Sequence, residues 1–191
     1  SRSSEEALPW LNKALDRLSL VVDDKSNSNT NSMAQKYVVA ALSKRAECFA
    51  HTQRDSEAIR DCDQALGLAD REDRHELIIR RAKSLAALGE HEGAVEDVKN
   101  SLAAVGKADD VHFHAAWAMS VAKRAVETDD GIPAPEKDKL AKEYGRLAVE
   151  HLLAAEQAAA LTRLQLDDLR RHADFAPIRG EESVQHLFQN Q

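Results

Sequence analysis

Ala46 and Ala82 stand 36 residues apart, and so do Ala58 and Ala94. Each pair marks the same place in a recurring unit. In the first copy Leu42, Ala46 and Phe49 recur at helical spacing. A polar turn at Thr52–Ser56 follows, then Ala58, Cys62, Ala65 and Leu66. Steps of three, four and seven put each set on one face of a helix. In the second copy Ile78, Ala82 and Leu85 precede a turn at Gly89–Glu92, and Ala94, Val98 and Ser101 come after it. Small residues seven apart let two helix backbones approach closely. A two-helix hairpin cannot bury such stripes alone, so the recurrence demands hairpins packed side by side. A third copy starts near Val111, with Ala116 34 residues beyond Ala82.

This pattern resembles the tetratricopeptide repeat, whose period is 34. That family places a small residue at its eighth position, here Ala46, Ala82 and Ala116. Its eleventh is large and apolar, here Phe49, Leu85 and Met119. Its twentieth and twenty-seventh are alanines, matched by Ala58 and Ala94 and by Ala65, with Ser101 in the second copy. Leu42 and Ile78 replace the family's tryptophan at the fourth position, and Asp70 stands where a proline is usual. The resemblance implies an all-α fold: a right-handed superhelical α-solenoid of antiparallel helix pairs. It also implies a concave face lined by the first helix of each pair. Carried over by position, that face holds Ala40, Ser43, Glu47, Ala50 and His51 in the first full copy. The second gives Glu76, Ile79, Lys83, Ala86 and Ala87, and the third Asp110, Phe113, Trp117, Ser120 and Val121.

Composition agrees with helices. Among 191 residues there are seven glycines and four prolines, and aromatics make up 4%. No run of eighteen apolar residues exists to form a membrane helix. The net charge of −7 argues against nucleic acid as the main partner. Cys48 and Cys62 fall on helix stripes and read as buried free thiols rather than a disulfide. A cytoplasmic setting is then the default.

Taken in order, residues 1–23 read as the second helix of a repeat, running over Glu5–Asp23 with Ala7 and Ala14 seven apart. Either its first helix belongs to a longer protein or it is a lone capping helix. Residues 24–32, free of apolar side chains, read as a polar loop. Residues 33–160 hold the repeats, at about 39–72, 75–108 and 109–160, with helices expected over Met33–Ala50, Ser56–Ala69, Arg74–Leu88, Glu92–Val105, Asp109–Thr128 and Glu136–Ala159. Gly89 and Gly106 would end the two helices of the second pair. Asp129–Pro135 breaks the chain, and the third repeat carries a long insertion between its helices.

Residues 161–191 form a capping segment. It comprises a helix from Thr162 to Arg171 capped by Thr162, a turn or extended stretch over Asp174–Gly180, and a last helix over Glu181–Phe188. Asp174, Phe175, Pro177, Ile178, Arg179, Leu187 and Phe188 resemble a motif that closes repeat regions behind bacterial serine/threonine protein kinases. No kinase motif is present in the chain itself. Phe175, Ile178, Leu187 and Phe188 are expected to cover the open flank of the stack.

Catalytic and metal spacing is missing. His112 and His114 are two apart on a helix and point apart. His91-Glu92 lacks the second histidine of the zinc-protease pattern, since Val95 stands there. Asp61/Asp63 and Asp167/Asp168 read as solvated helix residues. No enzyme activity, cofactor or metal is expected.

The expected function is a protein-interaction scaffold for a protein or peptide segment, part of a larger bacterial regulatory protein such as a serine/threonine kinase. It would involve neither nucleic acid nor membrane and act as a monomer or weak homodimer. The alternative is a self-association module whose groove is filled by its own tail. The candidate contacts are Ser43, Glu47, His51, Glu76, Ile79, Lys83, Phe113, Trp117 and Val121. Trp117 with Phe113 would form the anchor in the groove, unless Trp117 packs into the core or beneath the tail. Glu47 opposes capture of a chaperone's C-terminal carboxylate, and the apolar end suits hydrophobic anchors.

Overall fold

The computed structural model describes residues 2–23, 28–71, 73–104, 111–158 and 161–188. Ten α-helices and a short 3-10 turn occupy them, and no strand occurs among the described residues. The helices are α1 (Arg2–Asp23), α2 (Ser28–His51), α3 (Asp55–Leu68), α4 (Arg74–Ala87) and α5 (His91–Ala104). They continue with α6 (Val111–Thr128), α7 (Ala134–Gln157), α8 (Arg163–Arg171), α9 (Ala176–Arg179) and α10 (Glu182–His186). From α1 to α7 each helix packs on the next. In addition α2 meets α4 and α4 meets α6, so the first helices of successive hairpins are neighbours.

The repeated small residues sit where helices touch. Ala46, Ala58, Ala65, Ala82, Ala94, Ala116 and Ala148 are all fully enclosed. Two smaller apolar clusters fill the α1–α3 end, around Phe49 with Cys62 and around Leu42 with Leu66. One continuous core then runs from Ile79 of α4 to Leu187 past α10. Cys48 and Cys62 are buried free thiols.

The 36-residue recurrence also governs the turns. Arg54 N–H donates to the Phe49 carbonyl at 2.9 Å and Gln53 N–H to Ala50 at 3.1 Å. Glu90 donates to Leu85 and Gly89 to Ala86 at the same distances. Both are Schellman caps, which need one residue in the left-handed region. Gly89 fills that place with φ 82°, and Gln53 fills it with φ 60°.

A buried ion pair repeats as well. Arg45 grips Asp61 through two hydrogen bonds of 2.7 Å, and Arg81 grips Asp97 through bonds of 2.8 and 2.7 Å. Asp61 was expected to be solvated; it is 5% exposed. Its helix turns it toward α2, where the arginine fork satisfies both oxygens. Asp63 is the exposed member of that pair and reaches Arg81 of the next hairpin at 2.6 Å.

Two expectations about local structure need correction. The polar stretch over 24–32 is not a loop throughout, because α2 already begins at Ser28. Once Ala34 and Val38 are buried, extending an existing helix is cheap even through Ser, Asn and Thr. Residues 24–27 lie outside the described set, as do Asp110 and Gly106. Of the two readings for Asp174–Gly180 the extended one fails and the turn holds, as a 3-10 turn at Ala173–Phe175 running into the single turn of α9. Pro177 falls in the first turn of α9, where its missing N–H costs nothing.

The insertion expected between the helices of the third hairpin is not there: only residues 129–133 join α6 to α7, and the added residues lengthen both helices. α6 has 18 residues and α7 has 24, against 14 in each of α4 and α5. Thr162 caps α8 in a capping box with Gln165. The tail then turns back onto α6 and α7. Phe175, Ile178 and Val184 are fully buried there, Leu187 nearly so, and Phe188 packs at the edge. Arg179 fastens this turn by donating to the carbonyl of Leu169, near the end of α8, and to that of His172, which also accepts from the Phe175 N–H.

Candidate binding groove

Because α2, α4 and α6 lie side by side, one face of each looks into a shared hollow. A recess of about 270 Å³ is lined by Glu47 and His51 of α2, by His75, Glu76, Ile79, Arg80 and Lys83 of α4, and by Val111, His114 and Trp117 of α6. An adjoining space of about 570 Å³ shares Glu47, His51, Arg80, Lys83 and Trp117. It extends past Val121 and Arg124 to His172 and Asp174 of the tail. The tail therefore borders the hollow as a wall.

Trp117 sits at the junction of the two spaces. It is half-buried, and its indole rests against Phe175 with ring centroids 5.1 Å apart and against His172 at 4.7 Å. Its Nε1–H donates to the Asp174 carboxylate at 2.7 Å. Asp174 also receives Arg124 at 2.8 Å, while its backbone carbonyl accepts from Ser120 Oγ at 2.6 Å. The ring is thus fixed by the tail, and the residue lines both spaces. The Lys83 ammonium lies over the ring, 3.8 Å from its centroid.

Charge along the hollow is mixed. Burial lowers the Lys83 amine, and Arg80 adds to the effect, bringing it to about 8. Arg80 is held between Glu76 at 2.8 Å and Glu47 at 3.3 Å. Burial works to raise the Glu47 carboxyl, but a hydrogen bond from Lys44 and the charges of Arg80 and Lys44 outweigh it, leaving it below its ordinary value. Burial also lowers His51 and raises Asp55. Apolar footing comes from Ile79, Val111 and Val121, all nearly enclosed.

Of the expected contacts, Glu47, His51, Glu76, Ile79, Lys83, Trp117 and Val121 line the hollow. Ser43 is half-buried and lines neither space. Phe113 is 1% exposed and belongs to the core. It lies one turn below Trp117, where Phe175 of the tail covers it at 5.5 Å, and it cannot act as a surface anchor. Ser120 and Ala86, also expected on the concave face, are fully buried.

Sequence spacing missed Arg80, His75, His114 and the tail's Asp174 and His172. Arg80 and His114 each neighbour an expected position, so the face is wider than five positions per helix. Nothing local in the sequence ties Asp174 to Trp117, 57 residues away. Among the described residues no three metal-ligating side chains converge, and no helix is long and apolar enough to cross a membrane.

Fold and site together define an all-helical protein of neighbouring hairpins that presents a mixed apolar and charged hollow. Neither family models, nor curated proteins, nor solved structures match this chain.

Proposed function

We propose that the chain is a non-catalytic protein-interaction scaffold, and that its hairpins form a right-handed solenoid of the tetratricopeptide kind. The hollow between α2, α4 and α6 takes an extended or helical peptide. One observation carries this reading: Trp117, braced by Phe175 and Asp174 and capped by Lys83, lines both spaces of the hollow at their junction. A rigid, half-buried indole in a concave site is the kind of group that concentrates binding energy. Ile79, Val111 and Val121 offer apolar footing around it. The alternating carboxylates and cations at Glu47, Glu76, Arg80 and Lys83 would set direction and register.

Selection from a displayed random-peptide library tests the proposal. The expected result is a family of related peptides whose affinity drops at least tenfold on Trp117→Ala, while Trp10→Ala, on an exposed face of α1, changes nothing. No enriched peptides, or peptides indifferent to Trp117→Ala in a variant that still unfolds cooperatively, would overturn it.

A further inference from the structure

His112 and His114 diverge on α6, as their spacing requires. His114 enters the hollow, while His112 meets a residue that sequence spacing could not pair with it, His151 of α7. The two Nδ1 atoms lie 3.3 Å apart, with ring centroids separated by 5.5 Å and the rings inclined by 33°. Both side chains are half-buried. A separation of 3.3 Å is long for a hydrogen bond between nitrogens. It equals the ligand–ligand edge around a tetrahedral zinc ion with metal–nitrogen bonds of about 2.0–2.1 Å, about 3.3–3.4 Å, and exceeds by a few tenths of an ångström the edge of about 2.8–3.0 Å in a square-planar or octahedral copper or nickel site.

We propose that His112 and His151 form a two-histidine site across the α6–α7 hairpin for a divalent late first-row ion: copper, nickel or zinc. Imidazole nitrogen suits these ions, whereas magnesium and calcium prefer oxygen donors. The ion replaces the direct contact between the rings, so each ring carries its proton on Nε2 and turns the Nδ1 lone pair to the metal. Water, or a donor from a bound molecule, fills the remaining positions. The consequence is a clip between two helices joined by the turn at 129–133. α6 carries His114, Trp117 and Val121, so the clip steadies one wall of the hollow without entering it.

Urea unfolding of the untagged chain in increasing NiCl2, ZnCl2 or CuCl2 reads the site directly. An ion bound only by the folded state raises the folding equilibrium constant in proportion to its concentration once the site is saturated. Each further tenfold of free metal then gives about a tenfold gain. The gain is expected with at least one of the three salts and not with MgCl2. It should vanish in His112→Ala and in His151→Ala and persist in His91→Ala. Should the alanine variants unfold, nitrogen-15 imidazole spectra of the unaltered chain decide instead. The Nδ1 signals of His112 and His151 must then move together on adding ZnCl2, before those of the other six histidines. No stabilisation by any of the three salts, an equal response to MgCl2, or a response that survives His112→Ala would overturn the site.

Discussion

Asp61 and Asp63 are two residues apart on α3 and indistinguishable by composition, yet the fold gives them opposite weights. Asp61 has 6% of its side chain exposed and both oxygens in the grip of Arg45. Asp61→Ala leaves the guanidinium half-buried without its counter-charge. Breaking a buried pair from one side costs about 3–5 kcal/mol. Arg45 retains 21% side-chain exposure and still donates to Asn12 at 2.8 Å, so part of that loss is recovered. The expected destabilisation is about 2–3 kcal/mol. Asp63 is 52% exposed, and its bond to Arg81 supplements the stronger pair with Asp97. Asp63→Ala should therefore cost about 0.5 kcal/mol or less. Urea unfolding resolves the difference, because about 2 kcal/mol moves the midpoint of a domain this size by roughly 1 M. Asp97→Ala should match Asp61→Ala, and the paired change Arg45→Met with Asp61→Leu should recover more than half of the loss. If Asp61→Ala and Asp63→Ala agree within about 0.5 kcal/mol, the buried pair does not hold the hairpin together, and the recurrence of these bridges has no energetic meaning.

The two Schellman turns make opposite predictions. Gln53→Gly should stabilise by roughly 0.5–1 kcal/mol, since it relieves a left-handed side chain. Gly89→Ala should destabilise by about 1 kcal/mol, because open space around that Cβ leaves only the backbone penalty. In Trp10→Phe, where Trp117 is the sole indole, fluorescence should titrate near pH 8 as Lys83 loses its charge. The folded lysine titrates at about 8 and the unfolded one at about 10.5. Between those values the unfolded chain binds more protons, so stability should rise with pH across that window. A flat profile would contradict the Lys83–Trp117 contact. Cys48 and Cys62 are buried, and burial raises Cys62 to about 12, so neither thiol should react with a disulfide reagent at pH 8 until urea unfolds the chain.

The alternation of hairpins was legible because it rests on residues that cannot be exchanged freely. Only small side chains fit at Ala46, Ala58, Ala82 and Ala94, and their spacing survives in the primary structure. The paired bridges were equally available: Arg45 to Arg81 and Asp61 to Asp97 repeat the same interval of 36. A charge on a helix nonetheless reads as solvated, because its partner stands sixteen residues away on another helix. The helical start of α2 was hidden because Ser, Asn and Thr favour loops, and tertiary anchoring at Ala34 and Val38 overrides that preference. The groove was half legible. Helical position placed Glu47, Lys83 and Trp117 on one face, but whether Phe113 joins them depends on a tail residue 62 positions later, Phe175. The meeting of His112 with His151 depends in the same way on how two lengthened helices align.

A nitrogen-15 NMR titration of the chain with a library-selected peptide bears most directly on the proposed interaction role. Resonances of Glu47, Glu76, Lys83, His114 and Trp117 should move together and saturate at one peptide per chain, while those of Asp63 and Leu164, exposed elsewhere, stay in place. Shifts gathered on α3, α5 or the outer side of α7, with Trp117 unmoved, would contradict it.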